Sequence, residues 1–333
     1  MILFKIGNQQ MQIIQSTAMW RVLVGLTLGL FSLSYVRGWL RLRTVWPQTF
    51  QRMRLIVFGL SLFALAISLI SPLESASHSL LVARSLQKIL LCMIAAPLFW
   101  LACPFHCSLW GMPAGFRRGV TKLLQRSSPT GRLLRRATQP GITWLLFVST
   151  FLIWHDPTFV NLVMPHPWWH RMALLALLGA ALLFWWHIVE TGPRIHGRFP
   201  DWVRFACLIG VEIPNIASGI TIAAQSVPLY SYYAMMHGLA QPAWRLSILD
   251  DQTISGGMIW VFGSLAYFSS AVMVLNKIFR DHNGNSAQAF PNWDADERMI
   301  APGLEHRVIE NRWRQKELPA PLLDTTPTRS TKN

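Results

Sequence analysis

Long apolar runs alternate with short stretches crowded with arginine and proline, a pattern that predicts helices crossing a hydrocarbon layer. A layer about 30 Å thick takes roughly 20 helical residues at 1.5 Å each. Seven runs predict spans over Met19 to Val36, Leu55 to Ser71, Lys88 to Trp110, Ile142 to Trp154, Trp168 to Val189, Trp202 to Ala224 and Thr253 to Ile278. The fourth is the shortest. It begins nearer Thr138, or it is a tilted or partly buried segment. The fold class expected is all-α, a polytopic membrane helix bundle of about seven transmembrane helices.

Three regions follow: 1–18 as a short N-terminal segment, 19–280 as the transmembrane domain, and 281–333 as a polar tail. The tail holds eight acids, seven basic residues and several prolines without apolar periodicity, so it reads as solvated and disordered. No small-residue cleavage site precedes the first run, so that run is expected to stay as a helix rather than leave as a signal peptide.

Composition agrees with a bilayer as solvent: 52% hydrophobic, 14% charged, with 16 Trp and 18 Phe. The net charge of +15 raises nucleic acid as a partner, but the placement of the cations argues against it. Before residue 281 there are 23 Lys and Arg against seven acids, and they crowd into alternate connections. Seventeen fall on one side, among them Arg37, Arg41, Arg43, Arg52, Arg54, Arg117, Arg118, Lys122, Arg126, Arg132, Arg135, Arg136, Arg194, Arg198, Arg204, Lys277 and Arg280. Six fall on the other: Lys5, Arg21, Arg84, Lys88, Arg171 and Arg245. Cytoplasmic loops carry the excess of Lys and Arg, so the N-terminus is expected outside and the C-terminus inside. The expected partner is the lipid bilayer, with no nucleic acid. The four cysteines lie in or beside apolar runs and give no disulfide framework.

With that orientation, five of the ten histidines gather on the extracytoplasmic side: His78, His155, His166, His170 and His237. His166 and His170 are four apart and share a face if the helix already includes both, an arrangement that lets two imidazoles reach one metal. Asp156 could orient an imidazole or act as a hard ligand, and Met164, Met235 and Met236 add sulfur suited to Cu(I). The alternative is a set of ordinary interfacial histidines, like Trp168 and Trp169 beside them.

Other candidates are weaker. Cys103, His106 and Cys107 form a C-x-x-H-C run whose offsets place all three on one helical face, as copper capture or as packing thiols. Glu212 sits inside an apolar run before Pro214 and Asn215, where a carboxylate is costly unless paired, neutral or facing a wet cavity. Asp250 and Asp251 could pair with Arg245 or cap the last helix, while Gly256, Gly257 and Gly263 allow close helix packing. No phosphate loop, nucleophile elbow or H-E-x-x-H occurs, and the chain is not expected to be an enzyme.

Several short motifs, in order along residues 55 to 280, resemble one family. They are Ser71-Pro72 with His78 following, Ala96-Pro97, Trp154-His155-x-Pro157, His166-x-x-x-His170, Phe184-Trp185-Trp186, Pro228-Leu229-Tyr230, and Asp251-Gln252 leading into Gly256-Gly257 and Trp260. The combination resembles the CtaG-type cytochrome c oxidase assembly factors, associated with copper-containing terminal oxidases of the caa type. The resemblance implies seven spans, a histidine-rich outer face and a place in the bacterial cytoplasmic membrane. It also implies haem-copper oxidase subunits as partners and copper as the metal handled. Many members carry a His-Met-x-Gln-His run where this chain reads Arg84-Ser85-Leu86-Gln87-Lys88. If those histidines are copper ligands in relatives, the ligands left here are His78, His155, His166 and His170.

The function expected is assistance in maturing a haem-copper oxidase, through copper insertion or by holding the catalytic subunit. Two other readings stay open. Glu212 and the Cys-His-Cys run could form an ion path to the outer histidines, or facing histidines could bracket a haem.

Overall fold

A computed structural model describes residues 2–46, 51–124, 128–193, 199–239 and 246–282. Its elements in chain order are α1 (Ile2–Val45), α2 (Arg52–Leu69), α3 (Pro72–Ala76), α4 (Leu81–Ile89), a π-helical segment (Leu90–Ala95), α5 (Ala96–Leu101), α6 (Pro104–Gly111) and α7 (Ala114–Leu124). They continue with α8 (Pro129–Ala137), α9 (Pro140–His155), α10 (Pro157–Val163), α11 (Pro167–Val189), α12 (Asp201–Ala224), α13 (Ser231–Leu239) and α14 (Ile248–His282). The architecture is all-helical, and no strand occurs among the described residues. Apart from Asp281 and His282, which end α14, the expected polar tail lies outside those residues, as do Arg126, Arg194, Arg198 and Arg245.

Six helices are long and apolar enough to cross a membrane, and α8 with α9, bent by 56°, makes up to seven. Their outward faces carry Leu23, Leu26, Leu30, Ile213, Leu265 and Met273, all more than half exposed, as lipid-facing helices require. The short fourth run is explained by its prolines. Pro140 starts α9 after the bend at Thr138 and Gln139, and Asp156 ends it before Pro157.

Three boundaries differ from the expectation. The first span starts at Thr17, close to the expected Met19, but continues past Val36 to Val45. The third span begins at Leu81 rather than Lys88, so Arg84 and Lys88 are buried helix residues instead of loop cations. It ends at Leu101 rather than Trp110, because Cys103 takes a left-handed conformation (φ 53°) and Pro104 starts a new helix.

The main core runs between α2, the third span, α9, α11, α12 and α14. The π-helical segment matters to it, since a wider turn frees carbonyls from the helical ladder. Trp185 of α11 donates to the Cys92 carbonyl at 2.7 Å, and Ser61 of α2 donates to that of Ala95 at 2.9 Å. α12 and α14 run together through small residues. A Cβ on Gly256 would land on the backbone of Gly219 and Ala223. Gly257 faces open space and has no part in this contact.

Candidate functional site

The site lies at one end of the bundle, where the start of α4, the end of α9, the start of α11 and the start of α14 converge with α13. Asp251 of α14 builds its floor. Both carboxylate oxygens accept from the first turn of α4, Leu81 N–H at 2.8 Å and Val82 N–H at 2.9 Å. The residue therefore does cap a helix, but a different one from its own. Asp250 instead serves α14 locally, exchanging hydrogen bonds with Ser247. Gln252 holds the Pro228-Leu229-Tyr230 turn by accepting from Leu229 N–H at 2.7 Å. From that turn Tyr230 donates to the His155 carbonyl at 3.0 Å, and Tyr233 of α13 donates to that of Ser77 at 2.6 Å. Burial pushes both phenols above their ordinary range, so they remain donors at physiological pH.

Cations fill the centre. His155 Nδ1 lies 2.7 Å from the Phe151 carbonyl and can only donate there, which leaves Nε2 as acceptor for the Lys88 ammonium at 2.9 Å. Lys88 is fully buried and its nitrogen lies 4.4 Å from the centre of the Phe151 ring. Arg84 lies over the Trp154 ring at 4.4 Å and donates to the Trp154 carbonyl at 2.7 Å. These two residues occupy the positions at which the resemblance implies histidines. Beside them, Gln87 of the same run donates to the Ser68 carbonyl at 2.6 Å.

His170 packs against His78 edge to face, with ring centres 4.7 Å apart. His170 is wholly buried, and neither of its ring nitrogens has a hydrogen-bond partner. His78 hydrogen-bonds the Met164 carbonyl, and burial holds its pKa below the ordinary value although the Glu74 carboxylate pulls it upward. Glu74 itself pairs with Arg171 at 3.1 Å in a buried salt bridge, and Arg171 also donates to Thr17 at 3.0 Å. The last members of this end are His237, with Nε2 4.0 Å from Asp251, and Met164, fully buried at the end of α10.

The four expected ligands do not converge. His166 is the N-cap of α11 with extended backbone (φ −116°, ψ 103°), so it lies outside the helix and is exposed while His170 points inward. Asp156 is occupied in capping α10, accepting from Phe159 N–H at 2.8 Å, and it is exposed. Met235 is exposed as well. No group of three His, Cys, Asp or Glu side chains is placed to hold a metal ion among the described residues. The donors that do meet, His78 and His170, are flanked by Arg84 and Arg171. The copper set expected from His78, His155, His166 and His170 is therefore not gathered as one group of ligands among the described residues. Two rings in direct contact also leave no room for a haem between them.

The weaker candidates lie elsewhere. Cys103 is the left-handed residue before α6, so the C-x-x-H-C run is not one continuous helical face. Its sulfur accepts from Arg54 at 2.6 Å, and Cys107 belongs to a separate small core with Tyr35, Trp39, Leu42, Phe58 and Ala102. His106 stacks edge to face on Phe105. Glu212 sits between α12 and α14, accepting from Ser264 and, at 3.4 Å, from Asn215. Both partners are neutral. The Cys-His-Cys run and Glu212 thus sit in different parts of the bundle.

Of the motifs scattered along the chain, Trp154-His155, Pro228-Leu229-Tyr230 and Asp251-Gln252 meet at this end of the bundle, whereas Trp186 of Phe184-Trp185-Trp186 stacks on Trp100 at the far end of the third span. Residues 33–281 match the family model described as the cytochrome c oxidase caa3 assembly factor, Caa3_CtaG. The chain belongs to that family. Neither a curated protein nor a solved structure matches it. Within this family member, the residues that sequence reasoning passed over are Glu74, Arg171 and Tyr233. Arg84 and Lys88 were singled out as cations in place of histidines, and the sequence also shows them one helical turn apart, with no acid anywhere between Glu74 and Asp156.

Proposed function

We propose that this chain assists the assembly of a haem-copper oxidase in the cytoplasmic membrane by holding an oxidase subunit during maturation, with a histidine end organised by its own cations instead of copper. The role is non-catalytic. Family membership supports the assembly role. The single observation that carries the rest is the Lys88 ammonium on His155 Nε2 at 2.9 Å. With Nδ1 engaged at Phe151, that imidazole has no lone pair left for a metal. Arg84 adds a second buried positive charge, and like charges oppose a third. The excess of Lys and Arg at the opposite end argues that it faces the cytosol, with the histidine end across the bilayer.

The test is to purify the full chain from membranes of copper-replete cells, then measure copper per chain and identify the co-purifying oxidase subunit. The expected result is a bound subunit with copper far below one per chain. Copper near one per chain that disappears in His155→Ala would overturn the scaffold reading.

A second reading, copper delivery through His78 and His170, is favoured by the two unpartnered ring nitrogens of His170. Stoichiometric copper lost in His170→Ala and kept in His155→Ala would select it.

A further inference from the structure

α12 and α14 lie against each other through Gly219 and Gly256, and beside that contact each helix keeps a stripe that faces outward. On α14 the stripe is Gly257, Val261, Ser264 and Phe268, spaced four, three and four residues, which keeps them on one side of the helix. On α12 it is Ile209, Glu212 and Ile216, spaced three and four. None of these side chains is buried, and Val261 and Phe268 are 58% and 64% exposed. Gly257 has open space where a Cβ would stand. The two stripes meet at Glu212 and Ser264, whose hydroxyl donates to Oε1. They form an uncovered seam of the kind that a third helix packs into at a repeat of about 3.5 residues.

Depth makes Glu212 unusual. It stands near the middle of α12 (Asp201–Ala224), roughly 17 Å from either end at 1.5 Å per residue, and so near mid-bilayer. A carboxylate at that level is costly, and its neighbours do not remove the charge. Ser264 and Asn215 both donate, one to each oxygen, which serves the ionised form and supplies no positive charge. Gly263 seats the second of them, because a Cβ there would overlap the Asn215 amide. Loops join α12 only at its ends, farther along the axis than a lysine or arginine side chain extends. A polar segment does not enter the hydrocarbon layer to make up that distance. The open side of the carboxylate is the seam itself.

We infer that the seam between α12 and α14 is the docking surface for a partner transmembrane helix that carries a lysine or arginine near mid-bilayer, with that cation on Glu212. Charge complementarity selects this occupant. Lipid headgroups lie at the boundary and do not reach this depth, whereas an intramembrane acid is met by a cation on a neighbouring helix. A second copy docked through the same seam would bring carboxylate to carboxylate, which like charge opposes. The surface gives the scaffold role a point of contact, and it rests on that reading only for the partner's being an oxidase subunit.

The test uses the full-length protein, donor-labelled at its C-terminus, in phosphatidylcholine vesicles with acceptor-labelled polyleucine helices of about 20 residues. One helix carries a single central lysine, and the other has leucine there. Energy transfer should report about tenfold tighter binding of the lysine helix, the scale of polar contacts between membrane helices. Glu212→Gln should bring the two helices to equal affinity and leave the leucine helix as it was. Gly257→Leu keeps Glu212 but fills the seam two turns from Ser264, so it should remove the preference as well, and it tests the seam even where Glu212→Gln fails to fold. Circular dichroism of each variant establishes that it is folded. Equal affinity for the two helices in the wild type, or a preference that survives in either variant, overturns the proposal. So does energy transfer between donor- and acceptor-labelled copies of the chain that Glu212→Gln abolishes, which assigns the seam to a second copy. None of these results depends on which oxidase subunit co-purifies, so the scaffold reading and the seam fail separately.

Discussion

The Lys88 ammonium lies 2.9 Å from His155 Nε2, in a part of the bundle where both side chains are buried and no carboxylate is at hand. A buried cation is tolerated only while its donors are used. Removing the imidazole with His155→Leu therefore strands the charge and should cost on the order of 3 kcal/mol. Removing both partners, with Lys88→Met added, should recover most of that loss, because a well-packed apolar pair carries no desolvation cost. Thermal unfolding of the two variants in the same detergent measures the difference. A double variant no more stable than His155→Leu alone would mean that Lys88 has another adequate partner.

The same contact makes a gain-of-function prediction. Arg84→His with Lys88→His supplies the two histidines that the resemblance implies at these positions and takes two positive charges out of the site. The new imidazoles would lie beside His155, whose Nε2 is then free to bind a metal. Copper retained by the purified double variant should exceed that of the parent chain by at least tenfold, and His155→Ala in that background should abolish the gain. Equal copper in parent and variant would remove the argument that these two cations displace a metal.

Glu74 and Arg171 form a different kind of pair, buried at 2% and 1% exposure with Nε and Oε1 3.1 Å apart. Breaking such a pair leaves one charge without its counterpart, which costs about 3–5 kcal/mol. Glu74→Gln keeps the shape and removes the charge, so it isolates that cost. Its unfolding temperature should fall well below that of Glu74→Asp, which retains the charge. Matching temperatures would show that Thr17, at 3.0 Å, suffices for Arg171.

His78 gives the histidine end a pH dependence with a definite sign. Burial holds its folded pKa below the ordinary 6.5, Arg171 and Arg84 push the same way, and Glu74 pulls against them. The unfolded chain then binds the proton more readily, so the stability contributed by neutral His78 is present above about pH 6.5 and is lost as pH falls below it. Unfolding temperature should drop between pH 7 and pH 5.5, with a shallower slope in His78→Gln. Equal slopes would locate the titration elsewhere.

Much of the fold was legible because the bilayer imposes a simple length rule: runs such as Trp168 to Val189 and Trp202 to Ala224 nearly coincide with α11 and α12. The errors have separate causes. Arg84 and Lys88 looked like loop cations because charge is taken to end a span, yet Trp154, Phe151 and His155 supply aromatic faces and lone pairs inside the bundle. The spacing of His166 and His170 suggested a shared face, but that needs a helix already formed at His166, and Pro167 at the first helical position leaves its predecessor extended. The convergence of His78 on His170 was only partly legible. The distribution of Lys and Arg put both on one side of the bilayer, but their sequence separation carries no information on ring contact.

Asp251 shows how one charge can set the depth of the whole site. Its two oxygens take the first free N–H groups of α4, and α4 carries Arg84 and Lys88 one and two turns further on. Losing this cap should shift the equilibrium of that turn as well as lower stability, by about 1–2 kcal/mol for Asp251→Ala. Asp251→Asn keeps one acceptor and should lose less. Hydrogen exchange at Leu81 and Val82 reports the cap directly, and exchange near His155 reports whether Lys88 remains seated. Faster exchange at both sites in Asp251→Ala is the expected result. Exchange that rises only at the cap would separate the helix start from the cation site and leave Lys88 positioned by the deeper part of α4 alone.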